Sequence, residues 1–442
     1  MTSTAPRTSG GTVNGSAPPS DWPHVSLNDC EMFSVESGIW TGKQPPFTRI
    51  GVLRNTNFAQ GGTLDLSDVA LVDVEARSLP RKLLQSGDII IERSGGGPKQ
   101  PVGRVAYFEG GTTPFSFSNF TSRLRVLRPQ ELLPRFVHYF LHHFHEERHT
   151  LTLQHNTTGI RNLMFTDYLR TLVPKPPAPE QEAIAGLLAK IQQAVELEDR
   201  RIAALKELKA ATMAKVFREG LRGEARRTTE IGDLPASWTV GQIGDPKFAH
   251  TRSGGTPSRA VTAYFGGGIP WVKSGELVDA EILTTQEMLS PAGLANCNAE
   301  IFPKGTLLLA MYGATAGKTG TLGIEAATNQ AICSIMPVEG SFDPVFLQHY
   351  LIFCRRDLLA RRHGGAQPNI SQSILQEVAV PVPQIEEQRS ASAIFSRIQT
   401  RLEESQRRRA GLESLFLSSL AQLMTGQLRV LSLLHPREAT NA

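Results

Sequence analysis

Val173–Gln181 reads VPKPPAPEQ, and 207 residues later Val380–Gln388 reads VPVPQIEEQ. The match continues without a gap through Ile191 and Ile398, Gln192 and Gln399, Leu205 and Leu412, Leu208 and Leu415, to Leu221-Arg222 and Leu428-Arg429. A period of this length is far beyond any solenoid repeat. It implies two copies of a unit made of a domain and a helix, and hence approximate two-fold symmetry. A two-part DNA site is the commonest ligand for such a protein.

The repeat reaches upstream of the helices. Asn162-Leu163 keeps the 207 offset to Asn369-Ile370, whereas His138-Tyr139 matches His349-Tyr350 at 211. Gly87–Ile91 (GDIII) matches Gly305–Leu309 (GTLLL) at 218, and Trp22, Ser37 and Gly38 match Trp238, Ser253 and Gly254 at 216. The drift marks small loop insertions and deletions. The domains have otherwise diverged while the helices have not, so the helices share one task and the domains perform two.

Apolar residues recur at three- and four-residue steps as Ile184, Leu187/Leu188, Ile191, Val195, Ile202, Leu205, Leu208 and Val216, and again as Ile394/Phe395, Ile398, Leu402, Leu412, Leu415/Phe416, Leu420 and Leu423. This spacing predicts two amphipathic helices with a near-heptad seam. Pro179 and Pro383 stand at or just before their starts, and Glu180 and Glu386-Glu387 lie in or near the first turns, where the helix dipole favours acids. At 1.5 Å per residue each helix is roughly 60 Å long. Two such seams bury each other most simply as an antiparallel coiled coil, with Glu198 and Ser405 at matched polar seam positions.

The 442-residue chain is 40% hydrophobic and 7% aromatic, ordinary for a globular protein of two to four domains. No apolar run approaches the roughly 20 residues of a membrane span. Residues 1–19 are small, polar and rich in Gly and Pro; they read as a disordered tail without the apolar core of a signal peptide. Cys30, Cys297, Cys333 and Cys354 are scattered, which fits reduced thiols and a cytoplasmic location rather than disulfides or a zinc site. Net charge is +4 with pI ≈ 8.9, compatible with nucleic-acid binding. The basic residues gather at Arg222, Arg226 and Arg227, at Arg355-Arg356 and Arg361-Arg362, and at Arg407–Arg409.

Local strings that suggest enzymes fail. HEERH at His145–His149 fits the zinc-peptidase pattern, but its repeat counterpart RDLLA at Arg356–Ala360 keeps no ligand, so a histidine-rich surface helix is expected. GATAGKT at Gly313–Thr319 is one residue short of a phosphate-binding loop and suits a glycine-rich hairpin after a strand at Thr306–Met311. QPPF at Gln44–Phe47 has Gln where adenine methyltransferases carry Asp or Asn, and FGGG at Phe265–Gly268 ends in Ile269 where a cofactor loop requires glycine. No catalytic or metal-ligating set is found.

Two variable domains, each followed by a PxPxxxEQ lead into a long helix, resemble the specificity subunit of type I restriction–modification systems. The resemblance covers Trp22 to Val430 and includes LPASW (Leu234–Trp238), SGGTPSR (Ser253–Arg259), IPWVKSGE (Ile269–Glu276), AQPNIS (Ala366–Ser371) and VPVPQIEEQR (Val380–Arg389). The first half departs more, with TTGIRNL where the second has GAQPNIS, and SGGGPKQPVG where the second has YGATAGKTG.

The resemblance implies an α+β, pseudo-two-fold molecule of two mixed α/β target-recognition domains, separated and followed by long helices that form an antiparallel coiled coil. Residues 1–19 are expected as a tail, 20–172 as the first recognition domain, 173–222 as the central helix and 223–233 as a linker. The second domain then spans 234–379, the C-terminal helix 380–430 and a tail 431–442. The expected role is that of a non-catalytic adaptor. Each domain reads half of a split double-stranded DNA target, and the coiled coil sets the spacer and docks methyltransferase subunits, which restriction/translocase subunits join. The chain itself needs no cofactor; S-adenosylmethionine, ATP and Mg belong to the partners, and no membrane is involved.

Base edges are read by Arg, Lys, Asn, Gln and hydroxyls on loops. The candidates in the first half are Arg54, Asn57, Arg93, Ser94, Lys99, Gln100, Thr158 and Arg161. Those in the second are Ser253, Thr256, Lys273, Ser274, Tyr312, Lys318, Thr319, Gln367 and Asn369. Asn162 and Asn369 match between domains that should read different bases, so structure or phosphate contact suits them better than base readout. Two alternatives stand beside this reading: a recognition subunit for a fused type II methyltransferase-nuclease, and a coiled-coil scaffold that binds proteins.

Overall fold

The computed structural model describes residues 21–42, 44–97, 100–157, 160–361 and 369–430. Its main helices are α1 (Pro134–Glu146), α2 (Ala178–Glu219, 42 residues), α3 (Pro344–Phe353) and α4 (Ile385–Met424, 40 residues). Both long helices expected from the apolar spacing are present. α2 ends at Gly220, whose φ of +66° is the left-handed conformation that glycine adopts without strain; its N–H closes the last turn on the Val216 carbonyl. No helix among the described residues is long and apolar enough to cross a membrane. The chain forms two compact units, and the division falls inside both long helices, between Glu198 and Asp199 and between Arg407 and Arg408.

Unit 1 takes the chain up to Glu198 and from Arg408 onward. Its central sheet has the order Phe33–Ser37, Thr121–Val126, Ile89–Glu92, Val105–Tyr107, all antiparallel. A second sheet orders Ala70–Glu75, Phe47–Leu53, Phe115–Phe117, its last pair parallel. His24–Ser26 pairs with Leu172–Pro174. The core joins Trp22, Ile89, Ile91, Phe136, Tyr139, Ile184 and Leu188 to Phe416, Leu420 and Leu423 of α4. Within the unit α2 and α4 run head to tail: Glu180 holds Arg429 with two bonds of 2.6 and 2.9 Å, and Glu198 meets Arg408 at 3.1 Å.

Unit 2 spans Asp199–Arg407. Its main sheet orders Ala249–Ser253, Ile332–Pro337, Leu307–Ala310, Thr319–Leu322, Ala280–Ile282, with only the last pair parallel. The second sheet orders Glu287–Leu289, Phe265–Val272, Ala327–Thr328, again with a parallel last pair. Thr239–Gln242 pairs with Ala379–Val382. The strand order of unit 1 is thus repeated, with one strand added at the edge. The stretch expected as a linker carries most of a hairpin, Arg226–Thr229 with Gly232–Pro235, stabilised by Thr228 Oγ1 donating to Asp233 at 2.8 Å. Here too α2 and α4 run head to tail, through Lys209 with Gln399 and Leu221 with Glu387.

The repeated Glu-Gln pair does the same work twice. Gln181 is buried, accepts the Leu133 N–H at 2.7 Å and donates to the Glu131 and Pro176 carbonyls. Gln388 is buried, accepts the Asp343 N–H at 2.9 Å and donates to the Ser341 and Pro383 carbonyls. Each carboxamide satisfies three backbone groups where a helix starts against its domain. Gln388→Ala therefore strands them and should destabilise unit 2 by about 2–3 kcal/mol, read as an unfolding midpoint shift in denaturant. The buried carboxylates take arginines matched in the repeat, and Glu387 gains two further donors. Glu180 takes Arg429, whereas Glu387 takes Arg222 at 3.3 Å, the Trp238 indole N–H and the Leu221 N–H.

Candidate nucleic-acid interface

In each unit one end of the central sheet gathers the loops. Ser37, Thr121, Glu92 and Val105 mark that end in unit 1. Beyond it, the tight turn Ser118–Thr121 closes with a Thr121 N–H to Ser118 carbonyl bond of 2.9 Å. The N–H groups of Arg93 and Ser94 donate to the Phe120 carbonyl, and the Leu163 N–H donates to the Arg93 carbonyl at 2.7 Å. Asn55 Nδ2 reaches the Ser94 carbonyl at 2.6 Å, and Ser94 Oγ donates to Asn162 Oδ1. Strand Ile160–Leu163 lies between Gln154–Thr157 and Ser94–Gly96, with Arg161 opposite Gly96.

Unit 2 builds the same end from different residues. The turn Asn329–Ile332 closes at 3.1 Å, the Met311 N–H donates to the Ala331 carbonyl, and the Ile370 N–H donates to the Met311 carbonyl at 2.7 Å. The backbone N–H groups of Leu163 and Ile370 therefore lock one loop at one position in each unit, and the Asn162 side chain adds a bond from Ser94 Oγ. The Ser-Gly repeat is explained as well. A Cβ at Gly38 would lie 1.9 Å from the Ser118 carbonyl oxygen, and one at Gly254 would lie 2.1 Å from that of Thr328. Only glycine lets the two backbones approach so closely.

The candidate residues divide. Lys99, Thr158 and Gln367 lie outside the described residues. Gln100 and Asn369 are exposed at this end; Arg161, Ser274 and Tyr312 are half-buried there. Ser253 Oγ donates to Gln372 Oε1 at 2.8 Å, and Thr256 Oγ1 donates to Gln330. Arg93 stacks over Phe165 with its guanidinium 4.5 Å from the ring centroid and reaches Ser37 Oγ at 3.1 Å; burial lowers its pKa. Arg54 pairs with Asp68 at 3.4 Å.

Two candidates are corrected. Asn57 is 2% exposed; its carboxamide accepts the Arg54 N–H and donates to the Asp65 and Asp68 carbonyls, so it clamps its own loop. Thr319 is fully buried, with its N–H and hydroxyl on Asp279 Oδ1 at 3.0 and 3.1 Å.

The cations are largely engaged. Lys273 sits 2.7 Å from Glu287, which Arg259 also holds; hydrogen bonds from Arg259 and Lys273 lower the Glu287 pKa. Lys318 pairs with Asp279 at 3.1 Å, and Arg355 bonds the same carboxylate. Burial would raise the Asp279 pKa, but bonds from Thr319, Arg355 and Lys318 outweigh it and the net shift is downward. The glycine-rich Gly313–Thr319 string forms the expected hairpin, from strand Leu307–Ala310 to strand Thr319–Leu322.

The HEERH string is not a helical pair. α1 ends at Glu146, and Arg148 has φ of +61°, so the one-turn spacing of the two histidines is lost. α1 is also no surface helix: Phe136–His143 are all buried in it. Burial pushes the His142 and His145 pKa values down to about 4. Among the described residues no three His, Cys, Asp or Glu side chains converge as a metal site.

Sequence reasoning passed over the exposed turn residues Asn119, Phe120 and Gln330. Asn119 and Gln330 are 211 apart, the offset of His138 and His349, and carrying that frame upstream would have paired them.

A family model described as "Type I restriction modification DNA specificity domain" matches residues 26–207 and, a second time, 235–414. The chain belongs to this family. It is a DNA specificity subunit of the type I restriction–modification class. The "Putative type I restriction enzyme MjaX specificity subunit" of Methanocaldococcus jannaschii is 22% identical over 426 residues, 93% of this chain and 95% of that protein. The MjaIX specificity subunit of the same organism is 29% identical over 195 residues, 43% of this chain and 44% of that one. Among solved structures, the type I S subunit from M. genitalium superposes with a TM-score of 0.58 at 16% identity, covering 91% of this chain and 96% of its own. A chain from a study of type I restriction–modification complex assembly and conformational transition gives 0.56 at 19% identity, over 93% and 99%. Both share the fold of this specificity subunit.

Proposed function

We propose that each unit reads one half of a bipartite, asymmetric DNA sequence through the loops at the end of its central sheet. The observation that carries this reading is the repeated strand order with diverged loops. The same turn, braced by the same glycine, is surrounded by Arg93, Ser94 and Phe120 in one unit and by Thr256, Met311 and Ala331 in the other. Such a scaffold fixes position while leaving sequence readout to loop side chains.

In this reading the two long helices pair along their lengths as an antiparallel coiled coil, give the molecule a pseudo-two-fold axis and set the spacer between half-sites. They also dock methyltransferase subunits. Support comes from leucines that a helix committed only to its own domain would bury: Leu208 and Leu415, matched in the repeat, are each 51% exposed, and Leu197 and Leu417 are also exposed. Leu420, also in the apolar seam, is by contrast 1% exposed in the unit 1 core. Methyl transfer from S-adenosylmethionine and ATP- and Mg-dependent cleavage fall to the partner subunits, and this chain contributes no catalytic group.

The reading is tested by fluorescence anisotropy with genomic target fragments at several salt concentrations. The chain alone should bind weakly and with little sequence preference. Adding the methyltransferase subunits should produce specific binding whose salt slope counts the phosphates engaged. Nanomolar specific binding by the chain alone would contradict the division of labour, and no sequence preference in the complex would contradict DNA reading itself.

A further inference from the structure

The turns Ser118–Thr121 and Asn329–Ile332 occupy equivalent places in domains that share almost no loop sequence. In each, the first residue supplies the closing carbonyl, and the second, Asn119 or Gln330, is exposed. Nothing in the turn requires a carboxamide at that second position, which suits proline and most other residues. Glutamine in particular is no turn former. Yet both units place a carboxamide there, on a turn held rigidly against Gly38 or Gly254.

The surroundings fit contact with bases rather than open solvent. Phe120, beside Asn119, is 49% exposed, and the backbone of Arg93 and Ser94 is bonded to its carbonyl. Gln330 Oε1 accepts from the Thr256 hydroxyl, which fixes the amide and leaves its second lone pair and both N–H groups for a ligand.

We infer that Asn119 and Gln330 are base-reading residues, one in each half-site, and that each takes an adenine. A carboxamide donates to adenine N7 and accepts from its N6 amino group, a pairing no other base offers in the major groove. This inference rests on the proposal that each unit reads a half-site. It adds the residue and the base.

The test uses the full chain assembled with its methyltransferase subunits. Methylated sites are mapped across a genome for the wild type, Asn119→Ala and Gln330→Ala. Each substitution should relax one adenine position in one half-site, with discrimination there falling about tenfold or more. The other half-site and the spacer should stay unchanged. Should a variant stop methylating, competition binding with duplexes altered one base pair at a time gives the same reading. A flat response at an adenine of one half-site supports the assignment, and a retained preference at every position overturns it. Relaxation at a guanine or cytosine, or in both half-sites at once, also overturns it. A wild-type complex with no bipartite target would defeat the parent proposal, whereas a bipartite target unmoved by both variants defeats this inference alone.

Discussion

Replacing residues 234–379 with the second recognition domain of another family member is expected to change one half of the methylated sequence completely. The other half and the spacer should not change. The exchanged segment includes every strand of the five-stranded and three-stranded sheets of unit 2. It leaves α2, α4 and the sheets of unit 1 untouched. The junctions fall where the structure can accept them, because the contacts that seat each long helix on its domain are made by repeated residues. Trp238 and Glu387, 3.3 Å apart, have Trp22 and Glu180 as counterparts in the repeat. Mapping methylated sites in cells that carry the chimera checks the outcome. If both half-sites changed together, the two units would have to read one composite surface.

The second large effect is conformational. Gly254→Ala places a methyl 2.1 Å from the Thr328 carbonyl oxygen and 2.5 Å from that of Asn329. These are backbone atoms, so no rotamer change relieves the clash, and the strands Ala249–Ser253 and Ile332–Pro337 must separate at the end that carries the turn. The expected cost is about 3 kcal/mol, at the upper end for overpacking, with loss of recognition of one half-site. Gly275→Ala is the control: a Cβ there meets nothing within 4 Å, and a surface change of this kind should stay within about 0.5 kcal/mol. Denaturant unfolding of both variants decides the matter, and equal midpoints would refute the role given to Gly254.

The parts of this molecule that were legible in the sequence are those it uses twice. Gln181 and Gln388 could be aligned because each answers the same three backbone groups, so neither can vary. The Ser-Gly pairs at 37–38 and 253–254 survived because a side chain at the glycine collides with the opposing turn. Long-range ion pairing was not legible. Lys318 and Lys273 looked like free cations in their own loops, but Asp279 and Glu287, 39 and 14 residues away, occupy them. Asn57 and Thr319 looked like loop polars, although burial makes them internal clamps. Leu415 and Leu420 follow the same helical period, yet Leu415 is 51% exposed and Leu420 is buried, since periodicity alone does not say which positions meet a domain.

The division of the long helices also bears on the order in which the protein can be made. Unit 2 is one continuous stretch of chain, so all the residues of its core have been synthesised once Arg407 has been added. Unit 1 begins nearly two hundred residues earlier, yet its core includes Phe416, Leu420, Leu423 and Met424. On the ribosome the later unit can therefore close first. The earlier one must wait, with Tyr139, Ile184 and Leu188 uncovered, until almost the last turn of α4 has emerged.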